Sequence, residues 1–98
     1  MRERAEITVQ ENPGRSRYDA STDAGVVAGF AEYQDRDGVR VFTHTEVDDA
    51  FEGQGVGSSL ARGALDDARG RDLKVRPECP FIRGWIEKHP EYDDLRAS

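Results

Sequence analysis

Glycines at alternate positions, Gly53, Gly55 and Gly57, stand where the apolar pattern of this chain changes its period. Before residue 47 the pattern is that of strands, with apolar and polar side chains alternating over residues 6–10 as in a half-buried strand. After residue 59, Leu60, Ala61, Ala64, Leu65 and Ala68 recur at helical spacing, with Arg62, Asp66 and Arg69 outside that stripe. A strand that passes through glycines into a helix can bend sharply, adopt positive φ and let a ligand approach the backbone. The unpaired amides of Gly55, Val56, Gly57, Ser58 and Ser59 would then suit an anion at the helix start. The spacing is not the Gly-x-Gly-x-x-Gly dinucleotide pattern, and no Lys-Ser/Thr follows the last glycine as a P-loop requires. A plain structural turn uses the same three glycines, so both readings stay open on this segment alone.

The rest of the chain fits around that junction. Residues 6–10 (Glu-Ile-Thr-Val-Gln) alternate as a strand does, and Asn12-Pro13-Gly14 signals a turn. Residues 17–21 read as a second short strand, residues 22–25 as a turn and residues 26–34 as a third strand. The polar stretch at residues 35–38 ends in glycine, as hairpin loops do, and residues 39–47 pair back. Alternation there places Val39, Val41, Thr43, Thr45 and Val47 on one face. Beyond the glycine junction, Gly70 stands where a left-handed helix stop is expected. Leu73 and Val75 make a short strand closed by Pro77. Pro80 starts a second helix, where its missing N–H costs nothing; Phe81, Ile82, Trp85 and Ile86 form its apolar face, and Pro90 ends it. The expected fold is α/β: a mixed, mainly antiparallel sheet with an N-terminal meander and two main helices, in one domain over residues 1–98.

Composition narrows the function. Twenty Asp and Glu against 14 Lys and Arg give a net charge of −6, which disfavours general binding to nucleic acid, where a basic face is needed. The longest nearly apolar run, residues 25–31, is far short of a membrane span, and Arg2, Glu3, Arg4 and Glu6 break up any apolar leader. The single cysteine cannot form an internal disulfide, so a cytoplasmic, reducing setting is expected.

The run Glu52-Gly53-Gln54-Gly55-Val56-Gly57 resembles the pyrophosphate loop of the GNAT acetyltransferases, Gln/Arg-x-x-Gly-x-Gly/Ala, with strand, helix and strand in that order. Similarity is closer to short stand-alone GNAT-like proteins. They carry His-Thr-Glu-Val before the loop, then Pro-x-Cys-Pro-Phe and His-Pro-Glu-Tyr. Here these are His44-Thr45-Glu46-Val47, Pro77-Glu78-Cys79-Pro80-Phe81 and His89-Pro90-Glu91-Tyr92. The resemblance implies acetyl-CoA as cosubstrate and acetyl transfer to an unidentified amine. It places the pyrophosphate on Gln54, Gly55, Val56, Gly57, Ser58 and Ser59, and the pantetheine along Thr45, Glu46 and Val47. Glu52 departs from the family, setting a carboxylate where Gln or Arg is usual. The chain is also shorter than ordinary members, which leaves the acceptor site to be completed by a partner chain. Two rival functions are a CoA-binding module without turnover, favoured by Glu52, and a cysteine-dependent acyl-CoA thioesterase.

Cys79 precedes Pro80 and so caps the second helix, where the positive helix end favours a thiolate; burial as a small hydrophobe is the competing reading. The resemblance sets Cys79 near the thioester, as acetyl carrier, proton relay or pocket wall. His89 lies about 15 Å along the helix from Cys79, so His44 is the expected partner for thiol chemistry. Either histidine also has a structural reading, His44 within the sheet and His89 at the helix dipole. No closely spaced ligand pair argues for a metal. Trp85 is expected in the core.

Overall fold

A computed structural model describes residues 6–97; the charged start at Arg2, Glu3 and Arg4 lies outside them. Five strands, β1 (Ile7–Asn12), β2 (Arg17–Thr22), β3 (Val27–Arg36), β4 (Val39–Val47) and β5 (Lys74–Pro77), form one sheet in sequence order. The first four pair antiparallel as a meander, and β5 pairs parallel to β4. Between β4 and β5 runs the helix α1 (Val56–Gly70), and after β5 comes α2 (Pro80–Lys88). The mixed α/β architecture expected from the sequence is the one observed. The β3–β4 connection is tighter than expected: Asp37 (φ 54°) and Gly38 (φ 79°) alone make the turn, both in the left-handed region that matches the twist of a two-residue hairpin.

The alternation along β4 does not hold. Across from it, Glu32 faces His44 but Tyr33 faces Phe42, so Thr43 is an extra residue in β4. Such a bulge reverses which face each side chain takes. Thr45 and Val47 do point toward the helices, but on the other side of the bulge it is Arg40 and Phe42 that share that face. Phe42 joins Tyr18 and Tyr33 in the core, and Arg40 reaches Tyr18 and the α1 residue Asp67. Val39 and Val41 are thereby turned to the opposite face.

Both helices bury their stripes in one cluster: Val56, Leu60, Ala61, Ala64, Leu65 and Ala68 from α1, and Ile82, Trp85 and Ile86 from α2. A Cβ at Gly63 would sit 2.8 Å from Val9 Cβ, so glycine lets α1 lie directly on β1. Phe81 was expected in the apolar face of α2 but is 44% exposed. Gly70 does not stop α1. It is the last helical residue, and Asp72 (φ 59°) takes the left-handed position, with Leu73 N–H donating to Ala68 O (2.9 Å) and Asp72 N–H to Arg69 O (3.1 Å). That is a complete Schellman stop built on Asp. Among the described residues no helix is long and apolar enough to cross a membrane.

Candidate functional site

The glycine junction forms as a short 3-10 turn (Asp49–Phe51) followed by two left-handed glycines, Gly53 (φ 80°) and Gly55 (φ 79°). Asp48 caps the 3-10 turn by accepting from Ala50 N–H (2.9 Å). Gly55 caps α1 with no side-chain bond to its first turn. Gln54 N–H donates to Phe51 O (3.3 Å) and Ser59 N–H to Gly55 O (3.0 Å). The free donors are therefore fewer than the sequence suggests. Among the described residues, the amides of Gly55, Val56, Gly57 and Ser58 have no backbone acceptor. Four such donors at the positive end of a fifteen-residue helix make a fitting cradle for a pyrophosphate.

The cradle opens into a cleft of about 470 Å³ lined by Val47, Phe51, the glycine loop with Glu52, the α2 side chains Phe81, Trp85 and Lys88, and His89 just after α2. The strand β5 pairs with β4 only as far as Phe42, whose carbonyl accepts from both Glu78 N–H (3.0 Å) and Cys79 N–H (2.9 Å). Beyond that point, among the described residues, residues 43–47 of β4 have no strand on the β5 side. Val47, at the end of this bare edge, lines the same cleft as the cradle.

Cys79 is 4% exposed, and its thiol donates to Thr45 Oγ1 at 3.3 Å. His44 is not its partner. The ring of His44 lies on the other face of the sheet, 6.1 Å from the Phe30 ring, with Nε2 3.0 Å from Glu46 Oε1. Adjacent strand residues point oppositely, so the contact that brings Thr45 to Cys79 sends His44 and Glu46 away from it. Their face also carries Arg17, stacked on Phe30 at 4.5 Å, and a smaller cavity of about 200 Å³ between Arg17, Phe30, Glu46 and Asp48. Among the described residues no group of His, Cys, Asp and Glu side chains is placed to hold a metal ion.

The α2 wall of the cleft was missed in the sequence. Trp85 is buried as expected, yet its Nε1–H donates to Ser58 Oγ (2.9 Å), and His89 stacks on its indole at 3.7 Å and 12°. Phe81 lies against the cradle: a Cβ at Gly57 would fall 2.7 Å from its Cζ. The signal available was the spacing Phe81, Trp85, Lys88, which is one helical stripe displaced from the core stripe.

A family model described as GCN5-related N-acetyl-transferase matches residues 17–95. Protein NATD1 of Xenopus tropicalis is 40% identical over 47 residues, covering 48% of this chain and 43% of that protein. Protein NATD1 of Homo sapiens is 40% identical over the same length, with 42% of it covered. The chain thus spans less than half the length of these curated relatives. A GCN5-like protein of Staphylococcus aureus, solved by NMR, superposes with a TM-score of 0.69 at 26% identity, over 99% of this chain and 92% of that one. A GCN5-related N-acetyltransferase of Sphaerobacter thermophilus shares the fold, with a TM-score of 0.58 at 18% identity over 64% of this chain and 21% of that one.

Proposed function

The chain belongs to the GCN5-related N-acetyltransferase family, and we propose that it transfers an acetyl group from acetyl-CoA to an amine. One observation carries the reading: the free helix-start amides open into one cleft with Val47, the last residue of the β4 edge that has no strand partner beyond Phe42 among the described residues. In this reading the amides of Gly55, Val56, Gly57 and Ser58 hold the pyrophosphate, with Gln54 and Ser59 shaping the two ends of the loop. The backbone of Thr45, Glu46 and Val47 aligns the pantetheine. Acetyl-CoA, when bound, supplies the activated carbonyl that the amine attacks. Backbone N–H groups on the β4 edge serve as oxyanion donors, and fixing both reactants in one cleft supplies much of the acceleration.

Cys79 acts as pocket wall in this scheme. Cys79 stands at the start of α2, but among the described residues its thiol contacts no base to take its proton and donates to a neutral hydroxyl instead. The exposed His44–Glu46 pair is the proton acceptor for an ammonium arriving on the outer face, where a partner chain completes the acceptor site. Glu52 favours a second reading, CoA binding without turnover, because its exposed carboxylate lines the cleft mouth. Calorimetric titration with CoA and acetyl-CoA, followed by CoA release measured against a panel of amines, separates the two. Failure of both ligands to bind would refute each. Mass spectrometry after incubation with acetyl-CoA tests Cys79: an acetyl adduct lost in Cys79→Ala would make it a carrier after all.

A further inference from the structure

The α2 wall faces the amide cradle with an imidazole whose Nδ1 hydrogen the geometry fixes. His89 Nδ1 lies 2.7 Å from the carbonyl oxygen of Trp85, and a carbonyl only accepts, so Nδ1 carries a hydrogen. The ring is held flat on the indole, and the indole is tied through Nε1–H to Ser58 in the first turn of α1. Cradle and imidazole are thus linked by two contacts in series. Among the described residues Nε2 has no hydrogen-bond partner, and His89 lines the cleft. A neutral ring presents a lone pair at Nε2, which repels an anion; a charged ring presents an N–H, which binds one.

Charged groups of both signs stand on the elements packed around Trp85 and His89. Lys88 stands beside it on α2, and Arg62 of α1 approaches the indole at 5.3 Å while reaching Tyr92 Oη at 3.4 Å. Asp66 of α1 accepts from Tyr92 (2.7 Å), and Glu52 lines the cleft from the loop. Of these groups Lys88 and Glu52 line the cleft with His89, one of each sign. We infer that His89, with Lys88 beside it, is a phosphate-binding residue of the cleft, and that binding a pyrophosphate ligand takes up a proton from solvent at His89 Nε2. The inference rests on the reading of this cleft as the CoA site. A charge-assisted hydrogen bond at a half-exposed position makes binding about three- to tenfold tighter at pH 6 than at pH 8.

Dephospho-CoA is the probe, because the 3′-phosphate of CoA itself titrates near pH ~6 and would add its own slope. Titration calorimetry at pH 6, 7 and 8, in two buffers of different protonation enthalpy, should give a Kd that rises with pH in the wild type. At pH 7 the heat should depend on the buffer with the sign of proton uptake. His89→Gln should bind as the wild type does at pH 8, with neither pH slope nor buffer dependence. A flat wild-type profile, or a slope retained in His89→Gln, overturns the inference while leaving the CoA reading standing. No binding at any pH overturns both. Should His89→Gln melt at low temperature, NMR titration of the two wild-type imidazoles decides the matter. The imidazole showing contacts to Trp85 should stay protonated to higher pH with ligand than without, and an unmoved titration refutes the assignment.

Discussion

Alanine at Gly57 tests whether this glycine serves the ligand or the α2 wall. Its Cβ would fall 2.7 Å from Phe81 Cζ and 3.3 and 3.4 Å from the two Cε atoms, against ~3.5–4.0 Å for relaxed carbon contacts. The ring must retreat by about 1 Å, and it has room, being 44% exposed. A Phe side chain buries at most ~150–250 Å², so the part of this one that is covered amounts to roughly 100 Å². Full release of that area costs about 2.5 kcal/mol at ~25 cal/mol per Å², and a 1 Å retreat gives up only a fraction of it. Alanine in place of glycine in the helix returns ~0.5–1 kcal/mol. Net stability should stay within about 1 kcal/mol of wild type, a Tm change under ~8 °C. The ligand is affected differently: the displaced ring no longer walls the cradle, so CoA binding should weaken severalfold. Thermal melts and calorimetry on Gly57→Ala, Phe81→Ala and the double variant form the assay. If Phe81 is the partner, the two changes are strongly non-additive in binding, and the double variant is more stable than Phe81→Ala. Additive binding losses, or a fall in Tm beyond ~15 °C, would refute the argument.

Three other expectations concern single positions. Glu52→Arg should tighten CoA binding severalfold at low salt, with the gain shrinking as salt rises, since an exposed charge near a pyrophosphate is worth under about 1 kcal/mol; unchanged affinity at low salt would mean that residue 52 does not face the ligand. Asp72→Gly should raise Tm by a few degrees, because Asp72 holds φ 59° at the α1 stop and glycine accepts that conformation at lower cost by about 0.5–1 kcal/mol; a lower Tm would show a role for the carboxylate. Burial, and then donation to Glu11, push the Tyr33 phenol up from 10.0 to about 12. A raised native value means a stabilising contribution present below pH 10 that is lost as the pH rises toward 12. Urea melts across that window should show stability falling, less steeply in Tyr33→Phe; Tyr18, also pushed up by burial, keeps part of the slope.

Strand and helix positions were legible in the sequence because side-chain period is set by local covalent geometry, two residues in a strand and 3.6 in a helix. The alternation of residues 6–10, the α1 stripe and Pro80 at the start of α2 all belong to that class. So does the glycine cradle, since a left-handed Gly53 and Gly55 between strand and helix answer to local backbone sterics. What only the tertiary structure decided depends on residues far apart in the chain. The bulge at Thr43 is visible only against β3, where Tyr33 pairs with Phe42 and Glu32 with His44. That one inserted residue turns Arg40 toward Asp35 and Tyr18, and aims Thr45 rather than His44 at Cys79. His89 was legible as a helix end, but not as a ring stacked on Trp85 and joined through Ser58 to the cradle, a chain of contacts spanning 27 residues at its longest step. Period is a property of neighbours along the backbone; the partner of a side chain is chosen by packing, after register and bulge have set which way it points.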